Sequence, residues 1–318
     1  MRRSYLEFRD FLDNPIPGVT ISPNADLSTR TSMRTRCRTA ILAEVNDPRG
    51  LRELLQRAHE RAWPLLMLGG GANMLFATSF FNGITVSLGK PFESIMPLDM
   101  GVLRIGAATP LPSLIGSAKR FGLMGLEFLY KVPGQVGGAL AGNAGAGGWG
   151  ICDLLERAVC MTRNGKIIQL KRGDFRYSYR FSELKELIVL EADIRLRPLD
   201  PAESERLKTD YSAKKKSQPY HLSSSGCIFK NVLDTATNTR VSTGKLIDDA
   251  GLKGYCIRDA MVSEGHGNFI VNVGQATGED FLALISFVQD AIGEQYGVDV
   301  ELEVNVVGGP MANVKVYS

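Results

Sequence analysis

The stretch VPGQVGGALAGNAGAGGWG (132–150) constrains the fold more than any other part of the chain. Glycine recurs there at 134, 137, 138, 142, 145, 147, 148 and 150. A tight turn needs far fewer residues of that kind. Repeated absence of a Cβ suits a backbone that wraps a pyrophosphate or lies flat against a large planar ligand. A second segment has the same character. The apolar run 65–68 predicts a buried strand and leads directly into Gly69, Gly70 and Gly71, followed by Asn73. Taken alone, that glycine run fits a plain turn equally well. Two such segments in one chain point to a dinucleotide site. Gly145, Gly147 and Gly150 spell G-x-G-x-x-G, but they follow glycine-rich chain rather than a strand, so the Rossmann context is missing. Neither a Walker A motif nor H-E-x-x-H occurs, which removes the P-loop and zincin readings.

At 318 residues the chain is long enough for two or three domains. A net charge of +3 is too small to argue for nucleic acid. No apolar run approaches the roughly 18 residues of a membrane span. The opening MRRSYLEFRDFLDNP mixes both charge signs and lacks an apolar core, so no secretory signal is expected. Five scattered cysteines without a C-x-x-C pair or zinc-ligand spacing predict reduced thiols in a cytoplasmic protein with no metal. Three isolated histidines give a metal centre or catalytic triad little to work with, and His59 is expected on an exposed helix face.

Helices are predicted from Pro48 after an Asn46 or Asp47 cap, over 111–123, over 201–219, over 242–252, and after a Thr277 cap with Asp280 three residues on. Strands are predicted at 84–88, 102–108, 187–198, 269–273 and 298–308, and a hairpin flanks Asn164-Gly165. The expectation is an α+β protein.

Three segments carry candidate chemistry. In SSSGCIFKN (223–231), Cys227 follows a glycine in polar surroundings and is open to four roles: nucleophile, metal ligand, proton donor or none. In YSYRFSEL (177–184), Arg180 lies between aromatics and can present its planar fork to a carboxylate, or form an ordinary surface ion pair. The triple lysine 214–216 is either a solvated face or a phosphate contact.

Together these residues resemble the UDP-N-acetylenolpyruvoylglucosamine reductase (MurB) family, in its shorter branch without an extra tyrosine-bearing loop. The likeness runs through LGGGANML, GLEFLYKVPGQVGGALAGNAGAGG, YRFS, KKKSQPYHLSSSGCIFKN, GKLIDDAGLKGY, VSEGHGNFIVN and GVDVELEVNVVG, in the family's order from about residue 27 to 308. The resemblance implies a two-subdomain FAD-binding fold of the vanillyl-alcohol-oxidase/PCMH type plus a C-terminal α+β substrate-binding domain. It divides the chain at 1–88, 89–205 and 206–318, and leaves open a return of the last residues to the first subdomain. It implies NADPH-dependent reduction of UDP-N-acetylglucosamine enolpyruvate to UDP-N-acetylmuramate through bound FAD, in peptidoglycan precursor synthesis. A cytoplasmic monomer binding neither nucleic acid nor membrane is expected.

Carried over by matching motif, FAD would be held by Gly69, Gly70, Gly71, Ala72, Asn73, Met74, Pro133, Gly134, Val136, Gly137, Gly138, Asn143, Ala144 and Gly145. Arg180 and Glu303 would hold the substrate carboxylate while charge builds on it, with Glu301 nearby but off the motif. Tyr179, Lys215, Asn231, Lys253 and His266 would contact the substrate, Lys215 at its phosphate. The proton donor of the family is a serine after Ala-Gly, and here that position is Cys227, so the resemblance implies a general acid. A reference thiol pKa of about 8.5 leaves such a group mostly protonated near neutral pH, at the cost of exposure to oxidation. Arg36-Cys37 stands where the family commonly has Gly-Gly, which puts the local backbone in question because arginine resists positive φ. Two alternatives stay open. Another FAD-dependent oxidoreductase of the same fold explains the glycine segments but not Arg180, Cys227 and Glu303 together. A non-catalytic flavin-binding homologue predicts that Cys227→Ala changes nothing.

Overall fold

The computed structural model describes residues 8–234 and 236–309. The expected return of the final residues to the first subdomain therefore lies partly outside the described residues, as does the start of the N-terminal stretch tested for a secretory signal. Strands and helices alternate irregularly in an α+β chain. Two compact units emerge: one from residues up to 25, 40–70 and 82–216, the other from 26–39, 71–81 and 217 onward.

In the first unit, the helix Pro48–Glu60 starts where its sequence predicts. Asp47 caps it by accepting from the Arg49 N–H at 2.6 Å, and Pro48 needs no donor partner in the first turn. Leu51, Leu54, Leu55 and Ala58 are buried, while His59 is exposed. A four-stranded sheet runs in the order Val19–Asp26, Arg38–Val45, Phe80–Leu88, Leu65–Met67, with the last two parallel. The strand Leu65–Met67 is half-buried, not buried as expected, because it forms the sheet edge; Leu68, just past it, is the buried residue.

A second, antiparallel sheet has the order Ile167–Lys171, Leu155–Met161, Ile188–Arg195, Val102–Gly106, Ile95–Pro97. The Asn164-Gly165 signal does close its hairpin, with Gly165 at φ 84°. The helices Leu111–Arg120 and Val136–Ala141 bury Leu114, Ala118, Val136 and Leu140 in the same core as this sheet. Asp200 caps the helix Pro201–Lys214, accepting from the N–H groups of Ala202 and Glu203 at 3.0 Å each.

The glycine-rich stretch 132–150 is not one open loop. Its centre is the helix Val136–Ala141, and Gly137 lets that helix seat against the chain after Val102–Gly106. Its N–H donates to the Ala107 carbonyl at 2.8 Å, and a Cβ there would come within 3.1 Å of the Ala107 Cβ. Its end is a hairpin pairing Gly145–Ala146 with Trp149–Gly150, closed by Gly147 and Gly148 at φ 63° and 87°. Two consecutive positive-φ residues make this the tight turn suited to strand twist, and that geometry accounts for the G-x-G-x-x-G spelling.

In the second unit, the strands Cys256–Ile257, Ala260–Val262 and Ile270–Asn272 form an antiparallel sheet. The helix Gly278–Tyr296 shares a core with it, burying Phe281, Leu284, Ile285, Val288 and Ile292. Thr277 and Asp280 form the expected capping box. Ser242 caps the helix Thr243–Asp249. The strand expected over 298–308 shrinks to Asn305–Val307, which pairs in parallel with Met74–Phe76. Residues 301–303 instead bond to 228–230, so the segment changes partner and no single ladder runs its length. Among the described residues, no helix is long and apolar enough to cross a membrane.

Arg36 and Cys37 do not adopt positive φ; Arg34 does, at 54°. The buried residues Met33, Thr35, Cys37 and Thr39 alternate with exposed Arg34, Arg36 and Arg38. Arg36 donates to Gln275 Oε1 at 2.6 Å, so a side chain at this position is used structurally.

Candidate active site

The first unit carries Arg180 at the tip of a two-residue turn between Tyr177–Ser178 and Phe181–Ser182. Its φ of 54° is a conformation that glycine ordinarily supplies at this turn position. Holding an arginine there costs on the order of 1–3 kcal/mol, and such strain concentrates at functional sites. Two contacts fix the turn. Arg180 Nη1 donates to the Gly145 carbonyl at 2.9 Å, and Asn143 Nδ2 donates to the Ser178 carbonyl at 2.8 Å. Asn143 Oδ1 also accepts from the Cys152 N–H at 3.1 Å, so this buried amide locks the glycine hairpin to the arginine turn. The Arg180 guanidinium carbon lies 5.4 Å from the Tyr179 ring centroid, a cation–π placement.

Lys215 does not sit on a solvated face. It is 9% exposed and donates its ammonium to the Tyr130 carbonyl. Burial pushes its pKa down to about 8, and the nearby cations Arg180 and Lys131 add to the effect. Arg180, Lys131 and Lys215 thus concentrate positive charge in one region of this unit, which suits an anionic ligand. Tyr130 and Lys131 escaped the sequence reading. Lys131 at φ 60° was signalled only by lying before Val132-Pro133, where the glycine-rich chain begins.

The second unit carries Cys227 and Glu303. Cys227 follows Gly226 at φ 86° and forms an antiparallel bridge with Phe269. Ile228, the next residue, accepts from the Glu303 N–H at 2.7 Å, so the two candidate residues lie on adjacent backbone segments. The Glu303 carbonyl accepts from Asn73 Nδ2 at 2.9 Å, tying the start of Met74–Phe76 to it. Glu301 differs: it pairs with Lys230 at 2.9 Å. Tyr220, also missed in the sequence, has its hydroxyl pKa raised by burial and by the neighbouring Cys227.

The other cysteines separate cleanly. Burial pushes Cys37 up to about 11 and Cys152 and Cys160 up to about 12, which leaves them protonated and inert. Cys227 is half-buried and Cys256 exposed.

Asn231, Lys253 and His266 gather around the short helix Thr243–Asp249. Asn231 Oδ1 accepts from the Thr243 N–H at 3.3 Å, Lys253 pairs with Asp248 at 2.6 Å, and His266 Cε1 lies 2.8 Å from where a Cβ on Gly244 would stand. Burial, then the Lys253 charge, lowers the His266 pKa, so its ring is neutral near pH 7.

The first glycine run divides between the units. A Cβ on Gly70 would lie 3.2 Å from Gly134 Cα and one on Gly69 3.0 Å from Gln135 Oε1, so these two glycines let both glycine segments touch within the first unit. Gly71, at φ 60°, belongs to the second unit, and a Cβ there would lie 2.0 Å from the Arg30 carbonyl oxygen. Several features fit a dinucleotide. In the first unit, neither 65–70 nor 132–150 contains an acidic residue and Gly138 faces open space; in the second, 71–75 contains none and the hydroxyls of Thr31 and Thr35 are buried without a hydrogen-bond partner among the described residues. Residues 69–74, Pro133, Gly134, Val136, Gly137, Gly138, Ala144 and Gly145 are the residues these segments offer.

Sequence comparison agrees. A family model described as an FAD binding domain matches residues 39–171, and one described as the C-terminal domain of UDP-N-acetylenolpyruvoylglucosamine reductase matches 218–307. UDP-N-acetylenolpyruvoylglucosamine reductase 2 of Symbiobacterium thermophilum is 36% identical over 285 residues, covering 89% of this chain and 90% of that protein. This chain belongs to the UDP-N-acetylenolpyruvoylglucosamine reductase family. The reductase of Geotalea uraniireducens is 37% identical over 287 residues, covering 90% of this chain and 93% of that one. The crystal structure of the reductase from Thermus caldophilus superposes with a TM-score of 0.75 at 32% identity, over 91% of this chain and 98% of that chain. As a member of this family, the chain combines an FAD-binding domain with the family's C-terminal domain, and Cys227 and Glu303 fall within the latter.

Proposed function

We propose that this chain is a cytoplasmic, monomeric reductase that converts UDP-N-acetylglucosamine enolpyruvate to UDP-N-acetylmuramate at the expense of NADPH. Family membership over nine-tenths of the chain supports the substrate. The observation that carries the residue assignment is the strained Arg180 turn, braced by Asn143 and Gly145. Bound FAD would supply the two-electron chemistry that couples oxidation of NADPH to reduction of the enol ether at its terminal carbon.

Everything else falls to side chains. As hydride arrives, negative charge develops on the adjacent carbon and its carboxylate. Arg180 offers a pre-oriented fork to that carboxylate, and preorganised donors contribute most where charge develops. Glu303 completes the grip only in its protonated form, donating its O–H to the enolpyruvyl carboxylate, since two ionised carboxylates offer no hydrogen bond and repel. Cys227 then delivers its proton to the carbanionic carbon, leaving a thiolate that solvent reprotonates. Lys215 binds phosphate and Tyr179 flanks it, while Asn231, Lys253 and His266 hold the sugar nucleotide on the second unit.

The test is anaerobic. One equivalent of NADPH should bleach the yellow holoenzyme, and the enol ether should then restore the colour with UDP-N-acetylmuramate as product. Bleaching without recovery would remove the substrate assignment in favour of another flavin oxidoreductase. Failure to bind FAD at all would remove the cofactor site.

A further inference from the structure

Gly71, the last residue of the first glycine run, packs against a second segment of its own unit. Residues 30–32 lie against Gly71: the Ser32 N–H donates to the Gly71 carbonyl at 3.1 Å. A Cβ on Gly71 would fall 2.9 Å from Thr31 Cα. The Arg34 N–H closes back on the Thr31 carbonyl at 3.3 Å, with Arg34 at φ 54°, so Thr31 is held at the base of a tight turn. Its side chain is 4% exposed, and its hydroxyl has no partner among the described residues. A buried hydroxyl without a partner is unfavourable, and the few found in native proteins call for a reason. The segment 71–75 of the same unit carries no acidic residue that would repel an anion.

We propose that Thr31 is a cofactor ligand, its hydroxyl donating to the diphosphate of the bound dinucleotide beside the Gly71 turn. Thr35 carries a second orphaned hydroxyl, but Thr31 is the one placed against Gly71. The inference rests on the FAD reading above and adds a residue to it. A hydroxyl that donates to a charged oxygen is worth about ten- to a hundredfold in affinity. It also gives the apoprotein a liability, because the same group is unsatisfied until the ligand arrives.

That pairing separates a ligand from a packing residue. Thr31→Val keeps the shape and removes the hydroxyl, and Thr31→Ser keeps the hydroxyl. Flavin-free protein would be titrated with FAD, following flavin fluorescence, and with ADP as a competitor that carries the adenosine and diphosphate without the flavin. Thermal unfolding would be recorded without any nucleotide. The expected result is that Thr31→Val weakens FAD and ADP about tenfold or more, that Thr31→Ser restores both, and that flavin-free Thr31→Val melts no lower than the wild type. Unchanged FAD and ADP affinity in Thr31→Val would overturn the proposal while leaving the FAD reading in place. A lower melting temperature of flavin-free Thr31→Val with unchanged affinity would assign Thr31 to packing. Wild-type protein that binds no FAD would remove both the proposal and the reading beneath it.

Discussion

The two units equip themselves for chemistry in different ways. The first presents long cationic side chains whose ends are aimed by backbone carbonyls: Arg180 on Gly145 and Lys215 on Tyr130. The second presents short groups whose positions come from the backbone itself, Cys227 through its bridge to Phe269 and Glu303 through its bond to Ile228. Where function sits at the end of a long side chain, geometry depends on every bond between the backbone and the charge. Where it sits on a strand-like backbone, an isosteric replacement keeps the geometry. The first unit should therefore tolerate conservative changes poorly and the second well.

The largest effect is expected at Arg180. Removing a donor aimed at developing charge costs roughly 3–4 kcal/mol, so Arg180→Ala should slow enol-ether reduction by about two hundred- to nine hundredfold. NADPH should still reduce the flavin normally, as single-turnover absorbance would report. Arg180→Lys should recover little, because a point charge does not replace a fork. Full activity in Arg180→Lys would break the contrast between the units.

Cys227→Ala comes next. Loss of a positioned acid is expected to cost about a hundredfold here, again confined to the enol-ether half-reaction. Gly71→Ala should act on folding instead. The methyl would meet the Arg30 carbonyl and force a residue with a side chain to φ 60°. A loss exceeding about 1–3 kcal/mol in denaturant unfolding is expected.

The smallest effect concerns pH. Lys215 titrates near 8 rather than its ordinary 10.5 because it is buried beside other cations. Below pH 8 it is charged and should bind phosphate; above pH 8 the charge is lost and KM for the sugar nucleotide should rise. The pH profile of KM should flatten in Lys215→Ala. Stability has the opposite sign: between pH 8 and 10.5 the unfolded chain still holds that proton, so this group makes the folded state more stable as pH rises through the window.

Much of the fold was legible in the sequence where local signals agreed. The helices Pro48–Glu60 and Gly278–Tyr296 carry caps, a helical period and a matching buried face, and all three point to the same boundaries. The segment 298–308 shows what alternation cannot say. Its pattern reports which side chains are buried but not which strand pairs with which residue, and here the partner changes along its length. The helix Val136–Ala141 was hidden because its two glycines have low helix propensity, while the bonds to Ala107 and Thr109 that anchor it come from distant chain. At the site, Arg180, Cys227 and Glu303 could be located through ordered motifs. The left-handed turn under Arg180, the bracing by Asn143 and the orphaned Thr31 hydroxyl could not, since each depends on residues brought together from 30 or more positions apart or on a backbone angle that arginine rarely adopts.

The most direct test follows single-turnover flavin colour under anaerobic conditions in the wild type, Cys227→Ser and Cys227→Ala. NADPH should bleach all three at the same rate. The enol ether should restore colour in the wild type and Cys227→Ser within about tenfold of each other, and about a hundredfold or more slowly in Cys227→Ala. Recovery of Cys227→Ala at the wild-type rate would contradict Cys227 as the proton donor.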